Sequence, residues 1–398
     1  MLIINTPPIH LTYCMNIHAA ESLDDIDENI FTKAVSVFSA VGNETGREPP
    51  YGLGLWFSRA VLKQLAESDY ILDLKKRLRD NGLYVFTLNG FPYGEFHNTR
   101  VKEQVYSPDW STRERFDYTR NLAGLLADLI DDGSEGTIST VPVTFKPWAD
   151  SDTVARSAAF ISDLAVFCDM LLHDTGKCIR LALEPEPGCF LETTGDCISF
   201  FSEQLYNHGS QYLEEEYSLS ASRAQHIIRS HTGVCIDTVH SAVMYEDPAE
   251  SIVQLKKQDI GICKIQLGAA VGLEVSEPED AKALEQFADE VYLHQVHVRE
   301  RSGKTHFFND LPEALKNPVP GEWRVHFHIP LSGSYSSVPY TAVSQVDEDL
   351  LQAAVKAGIS HFEVETYTLN LLPGFSGMIE QAMAHELEWV ASRFPKLP

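Results

Sequence analysis

Short apolar runs alternate along the whole chain with longer segments in which apolar residues recur at helical spacing. The short runs are rich in β-branched and aromatic residues and predict strands, whereas the longer segments predict amphipathic helices. Repeated strand and helix pairs are typical of a parallel sheet with crossover helices. The predicted strands are LTYCMNI (11–17), YGLGLWF (51–57), YVFTLNG (84–90), TISTVPVTF (137–145), IRLALEP (179–185), GVCIDTV (233–239), CKIQLG (263–268) and HFEVETY (361–367).

Several of the segments between these strands read as helices that begin near Ser, Thr or Asp, the residue types that cap helix N-termini. Eight strand and helix units in one chain predict a closed (β/α)8 TIM barrel of the α/β class, with residues 1–398 forming a single domain. No GxGxxG pattern follows an early strand, which argues against a dinucleotide-binding fold.

The regular alternation breaks before the last predicted strand. VYLHQVHVRERSGKTHFF (291–308) reads as a β-hairpin with Ser-Gly at its turn, and WRVHFHIP (323–330) reads as a further strand. We therefore expect residues 290–330 to form an inserted hairpin and strand near the barrel mouth. WRVHFHIP is also a candidate barrel strand, so the sequence leaves open whether it or CKIQLG is the seventh.

Composition and charge narrow the class of function. The 398 residues include 31 Lys and Arg against 57 Asp and Glu, a formal net charge of −26, which disfavours a nucleic-acid partner. Seven scattered cysteines without CxxC or CxxH spacing argue against disulfides or a zinc finger and favour a reducing compartment. We find neither a signal-peptide pattern nor an apolar stretch of about 18 residues, and therefore expect a cytoplasmic protein without a membrane span.

Polar side chains gather at the ends of four predicted strands. Side chains of a barrel strand alternate between the interior and the helix layer, and functional groups collect at the carboxyl ends. With the larger apolar residues placed toward the helices, the inward positions are Glu184, Glu186, Asp237, Lys264, Gln266, Glu363 and Glu365. Four strand ends are thus expected to bring carboxylate and amide oxygens to one rim of the barrel.

Clustered carboxylates repel one another and have raised pKa values unless a cation neutralises their charge. We therefore predict one divalent metal ion, bound by Glu184, Asp237, Gln266 and Glu365. Three carboxylates and an amide oxygen suit Mn²⁺ or Mg²⁺, and a histidine ligand would extend the choice to Co²⁺ or Zn²⁺. Each acidic residue, considered alone, has a competing interpretation: it could cap the end of its strand or form an ion pair at the surface.

Three histidines are candidates at the same rim. His326 and His328 are two residues apart on one strand face, so both could reach one metal or substrate. We take His328 as an alternative metal ligand and His326 as a substrate contact, with a packed, hydrogen-bonded pair as the other interpretation. His240 follows Asp237 by three residues and is a candidate catalytic acid or base, or a residue that supports the ligands.

Two further residues are candidates for catalysis. Glu186, inward beside the predicted metal ligands, could move a proton next to a substrate carbonyl. Lys146, just after TVPVTF, falls at the catalytic end of the barrel and could bind a substrate anion or stabilise an enolate. A solvated lysine is the competing interpretation of Lys146.

Residues 84–115 contain a long loop rich in glycine, proline and aromatic residues, which is typical of a substrate lid. An ordered structural loop is the alternative. The predicted substrate contacts are Asn89, His97, Arg100 and Lys102 from this segment, His18 at the end of the first strand, His326, and Glu363 on the last strand.

The Glu, the Asp-x-x-His, the Gln and the last Glu at these strand ends resemble the xylose-isomerase-like superfamily of TIM barrels. That resemblance implies a divalent metal at the four predicted ligands and activities such as sugar isomerisation, epimerisation or polyol dehydration. The extra hairpin and the His-rich strand depart from the superfamily pattern. Longer segments resemble the metabolite-traffic protein EboE family: HLTYCMNIH (10–18), YVFTLNGFPYGEFHNTRVKEQVYSPDW (84–110), LALEPEPGCFLETT (181–194), GVCIDTVHSAV (233–243), EWRVHFHIP (322–330) and HFEVETYT (361–368).

The EboE resemblance implies a role in moving a secondary-metabolite precursor out of the cytoplasm. Our principal hypothesis is a metal-dependent isomerase, epimerase or dehydratase-like lyase acting on a small polyhydroxylated or enolisable metabolite. The alternatives are a non-catalytic metabolite-binding or scaffold component of the export system and, against the negative charge, a metal-dependent phosphodiesterase. The expected partners are the small-molecule metabolite, other proteins of the metabolite-traffic cluster and a second copy of the chain in a homodimer.

Overall fold

A computed structural model of the chain describes residues 1–5, 7–66, 69–94, 100–333 and 340–395. The strands are β1 (Leu2–Asn5), β2 (Pro8–Tyr13), β3 (Tyr51–Trp56), β4 (Leu83–Asn89), β5 (Glu135–Thr140), β6 (Cys178–Leu183), β7 (Thr232–Asp237), β8 (Ile262–Leu267), β9 (Ala269–Val275), β10 (Val296–Arg299), β11 (Thr305–Phe308), β12 (Gly321–Ile329), β13 (Thr341–Val343) and β14 (His361–Val364).

The α-helices are α1 (Leu23–Glu28), α2 (Val35–Thr45), α3 (Arg59–Ala66), α4 (Tyr70–Asp80), α5 (Arg113–Leu129), α6 (Ser151–Thr175), α7 (Thr194–Ser199), α8 (Ser210–Tyr217), α9 (Ala221–His231), α10 (Thr238–Val243), α11 (Pro248–Lys257), α12 (Leu311–Lys316), α13 (Glu348–Lys356) and α14 (Ile379–Ala391). Asn29–Ala34 and Phe200–Gly209 are π-helical. The 3₁₀ turns are Met15–Ile17, Lys102–Tyr106, Lys146–Trp148, Pro278–Phe287 and Leu369–Leu371. Within the described ranges, no helix combines the length and the apolar character needed to cross a bilayer.

Eight parallel strands form the barrel, in the spatial order β2, β14, β8, β7, β6, β5, β4 and β3. A parallel bridge between Cys14 and Gly54 joins the two ends of this sheet, and β1 pairs antiparallel with β2 outside the ring. The eight strands predicted from the sequence are therefore confirmed. The parallel arrangement brings their carboxyl ends to one rim, where the candidate site lies.

A second, antiparallel sheet has the order β11, β10, β12, β9 and β13. The predicted hairpin is its β10–β11 pair, in which Arg299 faces Thr305 across the turn. WRVHFHIP lies in β12 and pairs with β9 and β10, so its interpretation as a barrel strand is wrong. The run CKIQLG supplies the seventh barrel strand, β8, because it is parallel to both β7 and β14.

The alternation along each barrel strand separates an apolar layer from a polar interior. Leu181, Leu183, Val234 and Ile236 are buried in the main hydrophobic core. Inside the barrel, the fully buried Lys264 ammonium forms an ion pair with Glu363. A Cβ at position 54 would overlap the Glu363 carboxylate, which explains why glycine stands there.

Candidate metal centre and active site

Three carboxylates meet around one amide at the carboxyl-end rim. Gln266 Nε2 lies 3.0 Å from Glu184 Oε1 and 3.4 Å from Asp237 Oδ2, and it also contacts Glu365 Oε2. All four side chains are buried. The four residues predicted as metal ligands are therefore brought together by four different strand ends.

The electrostatics of this cluster favour a cation. Burial, followed by the charge of Asp237, raises the pKa of Glu184 to about 7 despite the opposing effect of His240. Burial and the charges of Glu184 and Asp237 raise the pKa of Glu365 well above its usual value. Glu184 Oε2 is buried and has no hydrogen-bond partner among the described residues. A bound divalent ion would relieve both the repulsion and the unpaired oxygen, so the residues fit a metal.

Local structure fixes the direction of two of these carboxylates. Asp237 caps α10, and its Oδ1 accepts hydrogen bonds from the backbone N–H groups of Val239 (2.6 Å) and His240 (3.1 Å). Burial would raise the pKa of Asp237, but the His240 and His328 rings and the capped N–H groups lower it. Glu365 Oε1 accepts hydrogen bonds from the Asn16 and Asn89 amides at 2.7 Å and 3.3 Å.

Three histidines adjoin the carboxylates. His240 Nε2 lies 3.1 Å from His326 Nε2, which in turn lies 3.1 Å from His328 Nε2. Burial would lower the pKa of His240, but Asp237, Glu186 and Glu184 raise it. Burial lowers the pKa of His328 to about 4 and that of His326 well below its usual value. His240 thus favours a positive charge, whereas the other two rings are neutral at physiological pH.

Candidate ligand atoms of these groups form three sets, each with all members within 4.8 Å of one another. The sets are His240 with His326 and His328, Glu184 with Asp237 and His240, and Asp237 with His328 and Glu365. The predicted alternative ligand, His328, therefore lies within reach of the carboxylates.

A cavity with an empty volume of ≈ 530 Å³ opens onto this cluster. Its wall includes Glu184, Glu186, His240, His326 and Asn89, all of which the sequence pointed to as site residues. Further lining residues are Asn16, Lys102, Tyr106, Tyr292, His328, Glu365 and Tyr367. The size and the mixture of aromatic and charged walls suit a small polar molecule.

Glu186 is held in the cavity wall by two residues that the sequence analysis did not include among its site residues. Its Oε1 accepts hydrogen bonds from the Tyr106 hydroxyl at 2.6 Å and from Gln295 Nε2 at 3.4 Å. Gln295 also donates to the Pro187 carbonyl at 2.8 Å. Burial raises the pKa of Glu186. Gln295 lies next to β10 in the inserted sheet, so no local pattern connects it with Glu186, 109 residues away.

Lys102 reaches the cavity wall, but its ammonium is engaged by protein oxygens. Lys102 Nζ contacts Asp310 at 2.6 Å, the Tyr292 carbonyl at 2.7 Å and the Asp289 carbonyl at 2.9 Å. The lysine thereby ties the segment after β4 to the inserted residues 289–310. Its three contacts occupy the donors of the ammonium, and its role as a substrate contact stays a prediction.

The cavity wall does not include several other predicted site residues. Lys146 is exposed and forms an ion pair with Glu192. Glu363 is paired with Lys264 inside the barrel, below the cavity. His18 is buried, with its Nε2 3.3 Å from the Tyr13 hydroxyl. Arg100 is exposed, and His97 lies outside the described residues.

The comparisons with known proteins concern the fold. No family model and no curated protein matches the chain. A D-allulose 3-epimerase from Methylomonas sp. superposes with a TM-score of 0.50 at 11% identity, covering 97% of this chain and 98% of that chain. An L-ribulose 3-epimerase has a TM-score of 0.49 at 12% identity, covering 97% and 95% of the two chains. A xylose isomerase-like TIM barrel protein from Mycobacterium smegmatis in complex with magnesium has a TM-score of 0.47 at 10% identity, covering 96% and 98%. The chain has the xylose-isomerase-like TIM-barrel fold.

Proposed function

We propose that this protein is a divalent-metal-dependent isomerase, epimerase or lyase that acts on a small polyhydroxylated or enolisable metabolite. The observation that carries the proposal is the convergence of Glu184, Asp237 and Glu365 on Gln266. Glu184 and Glu365 of this cluster line the cavity. Carboxylate oxygens are hard ligands, and their arrangement around a cavity suits an ion that also contacts adjacent substrate oxygens.

Gln266 is the fourth ligand in this proposal. Its amide nitrogen faces the carboxylates and its Oε1 accepts a hydrogen bond from Cys235 Sγ at 3.0 Å. The two ends of an amide are assigned from their hydrogen-bond partners, and a cation among the carboxylates would reverse the assignment. When bound, the metal acts as a Lewis acid that polarises a substrate carbonyl.

Glu186 is the residue that moves the proton. Its hydrogen bonds from Tyr106 and Gln295 both go to Oε1, which leaves Oε2 without a donor among the described residues. Glu186 would take a proton from the carbon next to the carbonyl, and the electron pair of that C–H bond would move toward the carbonyl oxygen. Isomerisation follows if the proton is delivered to the former carbonyl carbon and the neighbouring hydroxyl passes its own proton to the former carbonyl oxygen. Epimerisation requires a second group that delivers a proton to the opposite face of the same carbon, and dehydration requires the hydroxyl on the next carbon to leave with a proton as water.

The other two predicted catalytic residues are less suited to this step. His240 Nε2 faces His326, and the Lys146 ammonium is paired with Glu192 away from the cavity. Tyr106 and Tyr367 would shield the reacting atoms from bulk water, and residues 84–115 would cover them. The resemblance to the EboE family supports a place for the reaction in the export of a secondary metabolite, with other proteins of that system as partners.

Deuterium exchange tests the proposal without knowledge of the product. The metal-stripped protein, reloaded with Mn²⁺, is incubated in D₂O with a panel of hydroxylated ketones, aldehydes and cyclic polyol ketones. Magnetic resonance is expected to detect deuterium next to the carbonyl of at least one compound, and Glu186→Gln is expected to slow exchange by about 10²-fold or more. Lys146→Met is the matched control and should retain exchange. Saturable binding of a compound without exchange would favour the metabolite-binding alternative.

A further inference from the structure

The cavity at the rim has two chemically different sides. Glu184, Glu186 and His240 line one side and follow the neighbouring strands β6 and β7. Phe91 and Val105 line the cavity from the segment after β4, and β4 lies across the ring of strands from β8. The cavity therefore extends from the charged groups of the candidate metal cluster to an apolar side.

The apolar side is built from two chain segments that backbone hydrogen bonds hold together. The N–H groups of Val101 and Lys102 both donate to the Val291 carbonyl at 2.9 Å. This pairing brings Val101 near Tyr292 and Leu293, and all three side chains line the cavity. Residues that precede β10 in the inserted segment thus complete a wall that the barrel strands alone do not supply.

Tyr106 contributes its ring to this side, but its hydroxyl is engaged elsewhere. The hydroxyl donates to Glu186 Oε1 at 2.6 Å and accepts a hydrogen bond from Gln295 Nε2 at 2.8 Å. A substrate hydroxyl on this side would lose hydrogen bonds to water that the Phe91 and Leu293 side chains cannot replace. An apolar group would instead be stabilised by its removal from water. The apolar side therefore disfavours a hydroxyl-rich chain.

The charges around the cavity disfavour a phosphate on the substrate. Within the described part of the chain, Lys102 is the one lysine or arginine that lines the cavity. Three protein oxygens already accept hydrogen bonds from its ammonium. Glu184, Glu186 and Glu365 line the same cavity, so a phosphate arm would meet carboxylates without a free cationic side chain to neutralise it.

On the basis of the proposed function, we propose that the substrate is an uncharged, enolisable hydroxyketone with an apolar arm. Its carbonyl end lies at the carboxylate cluster, and its arm, a hydrocarbon ring or chain, packs against Phe91, Val105 and Leu293. Open-chain sugars and sugar phosphates are poor ligands of such a cavity. Because Leu293 belongs to the inserted segment, the part of the chain that departs from the superfamily pattern contributes directly to substrate choice.

Three 1-hydroxy-2-ketones with the same reactive end and different arms test this inference. They are 1-hydroxy-4-phenylbutan-2-one, erythrulose and erythrulose 4-phosphate. Calorimetry measures their dissociation constants for the full-length protein, both loaded with Mn²⁺ and stripped of metal. The phenyl compound is expected to bind at least about 10-fold more tightly than the other two. This preference should persist without metal, because the apolar side contains no proposed metal ligand.

Two variants replace apolar surface of the cavity by polar groups of similar size, Leu293→Asn and Val105→Thr. Each should lower the affinity for the phenyl compound, relative to that for erythrulose, by about 10-fold. An unchanged circular dichroism spectrum reports an intact fold. Leu72→Asn is the matched control and should keep the wild-type affinity ratio, because Leu72 is 78% exposed on α4.

The inference would be overturned if erythrulose or its phosphate bound as tightly as the phenyl compound, or if both cavity variants kept the wild-type affinity ratio. Deuterium exchange in erythrulose, together with weak binding of the phenyl compound, would overturn it while leaving the proposed function intact. Tight binding of the phenyl compound that is weakened in both variants, without exchange in any of the three ketones, would support the apolar arm and count against turnover.

Discussion

The Tyr106 hydroxyl donates a 2.6 Å hydrogen bond to Glu186 Oε1, which joins the segment after β4 to the segment after β6. A carboxylate acceptor makes this bond stronger than one between neutral groups. We expect Tyr106→Phe to lower the free energy of unfolding by about 1.5–3 kcal/mol, measured by urea denaturation. Tyr84→Phe is the control, because the Tyr84 hydroxyl contacts the neutral His10 ring at 2.8 Å and its loss should cost about 1 kcal/mol. If Tyr106→Phe and Tyr84→Phe lowered the free energy of unfolding equally, the result would argue against an ionised Glu186.

Metal removal should destabilise the protein. A ligand that binds only the folded state stabilises it by about 2.7 kcal/mol when its concentration is 100 times the dissociation constant. We expect Mn²⁺ to raise the melting temperature of the chelator-treated protein, measured by calorimetry. Mn²⁺ should no longer raise the melting temperature of the Glu365→Gln variant. It should still raise the melting temperature of the control variant Glu274→Gln, because Glu274 is exposed. A melting temperature that is independent of Mn²⁺ in wild type would contradict the carboxylate site.

The stability of the metal-free protein should depend on pH through Glu184. Its folded pKa of about 7 lies above its ordinary value of 4.5, so the folded state binds the proton more tightly than the unfolded state. This tighter proton binding adds about 3 kcal/mol to the free energy of unfolding below pH 4.5. The contribution is lost as the pH rises from 4.5 through about 7.

Denaturant unfolding between pH 4.5 and 8 measures this loss, and Glu184→Gln should reduce it. Saturating Mn²⁺ should reduce it as well, because the ion stabilises the ionised carboxylate. A loss of the same size in the Glu184→Gln variant would assign it to another group.

The ion pair inside the barrel predicts a large effect of single substitutions. Lys264 and Glu363 are both fully buried, so Lys264→Met leaves a carboxylate without its partner and should cost about 3–5 kcal/mol of stability. The double variant with Glu363→Leu should recover most of this loss. Arg113→Met is the control, because Arg113 pairs with Asp117 on the surface and should change stability by less than about 1 kcal/mol. A double variant as unstable as the single one would indicate that packing, and not charge, controls the result.

Lys102 should stabilise the segment after β4 against local unfolding. Its ammonium has three oxygen partners on the inserted residues, and Lys102→Met should cost about 1.5–3 kcal/mol and accelerate proteolysis between residues 94 and 106. Arg100→Met, in the same segment but exposed, should leave both measurements unchanged. Equal proteolysis of the two variants would mean that other contacts hold the segment.

The sequence by itself determined the barrel and the four residues at its rim. Strand alternation depends only on neighbouring residues, and parallel strands bring their carboxyl ends together whatever the details of packing. The positions of Glu184, Asp237, Gln266 and Glu365 could therefore be predicted without knowledge of any contact between them.

Only the tertiary structure decided which partner each polar group finds. Glu363 and Glu365 lie two residues apart on one strand face, yet one is paired with Lys264 and the other belongs to the candidate metal cluster. His240 and His326 are 86 residues apart in the chain and meet because the inserted sheet packs over the rim. Local periodicity sets the direction of a side chain, but hydrogen bonds and ion pairs are satisfied across space, and no local pattern encodes those distances.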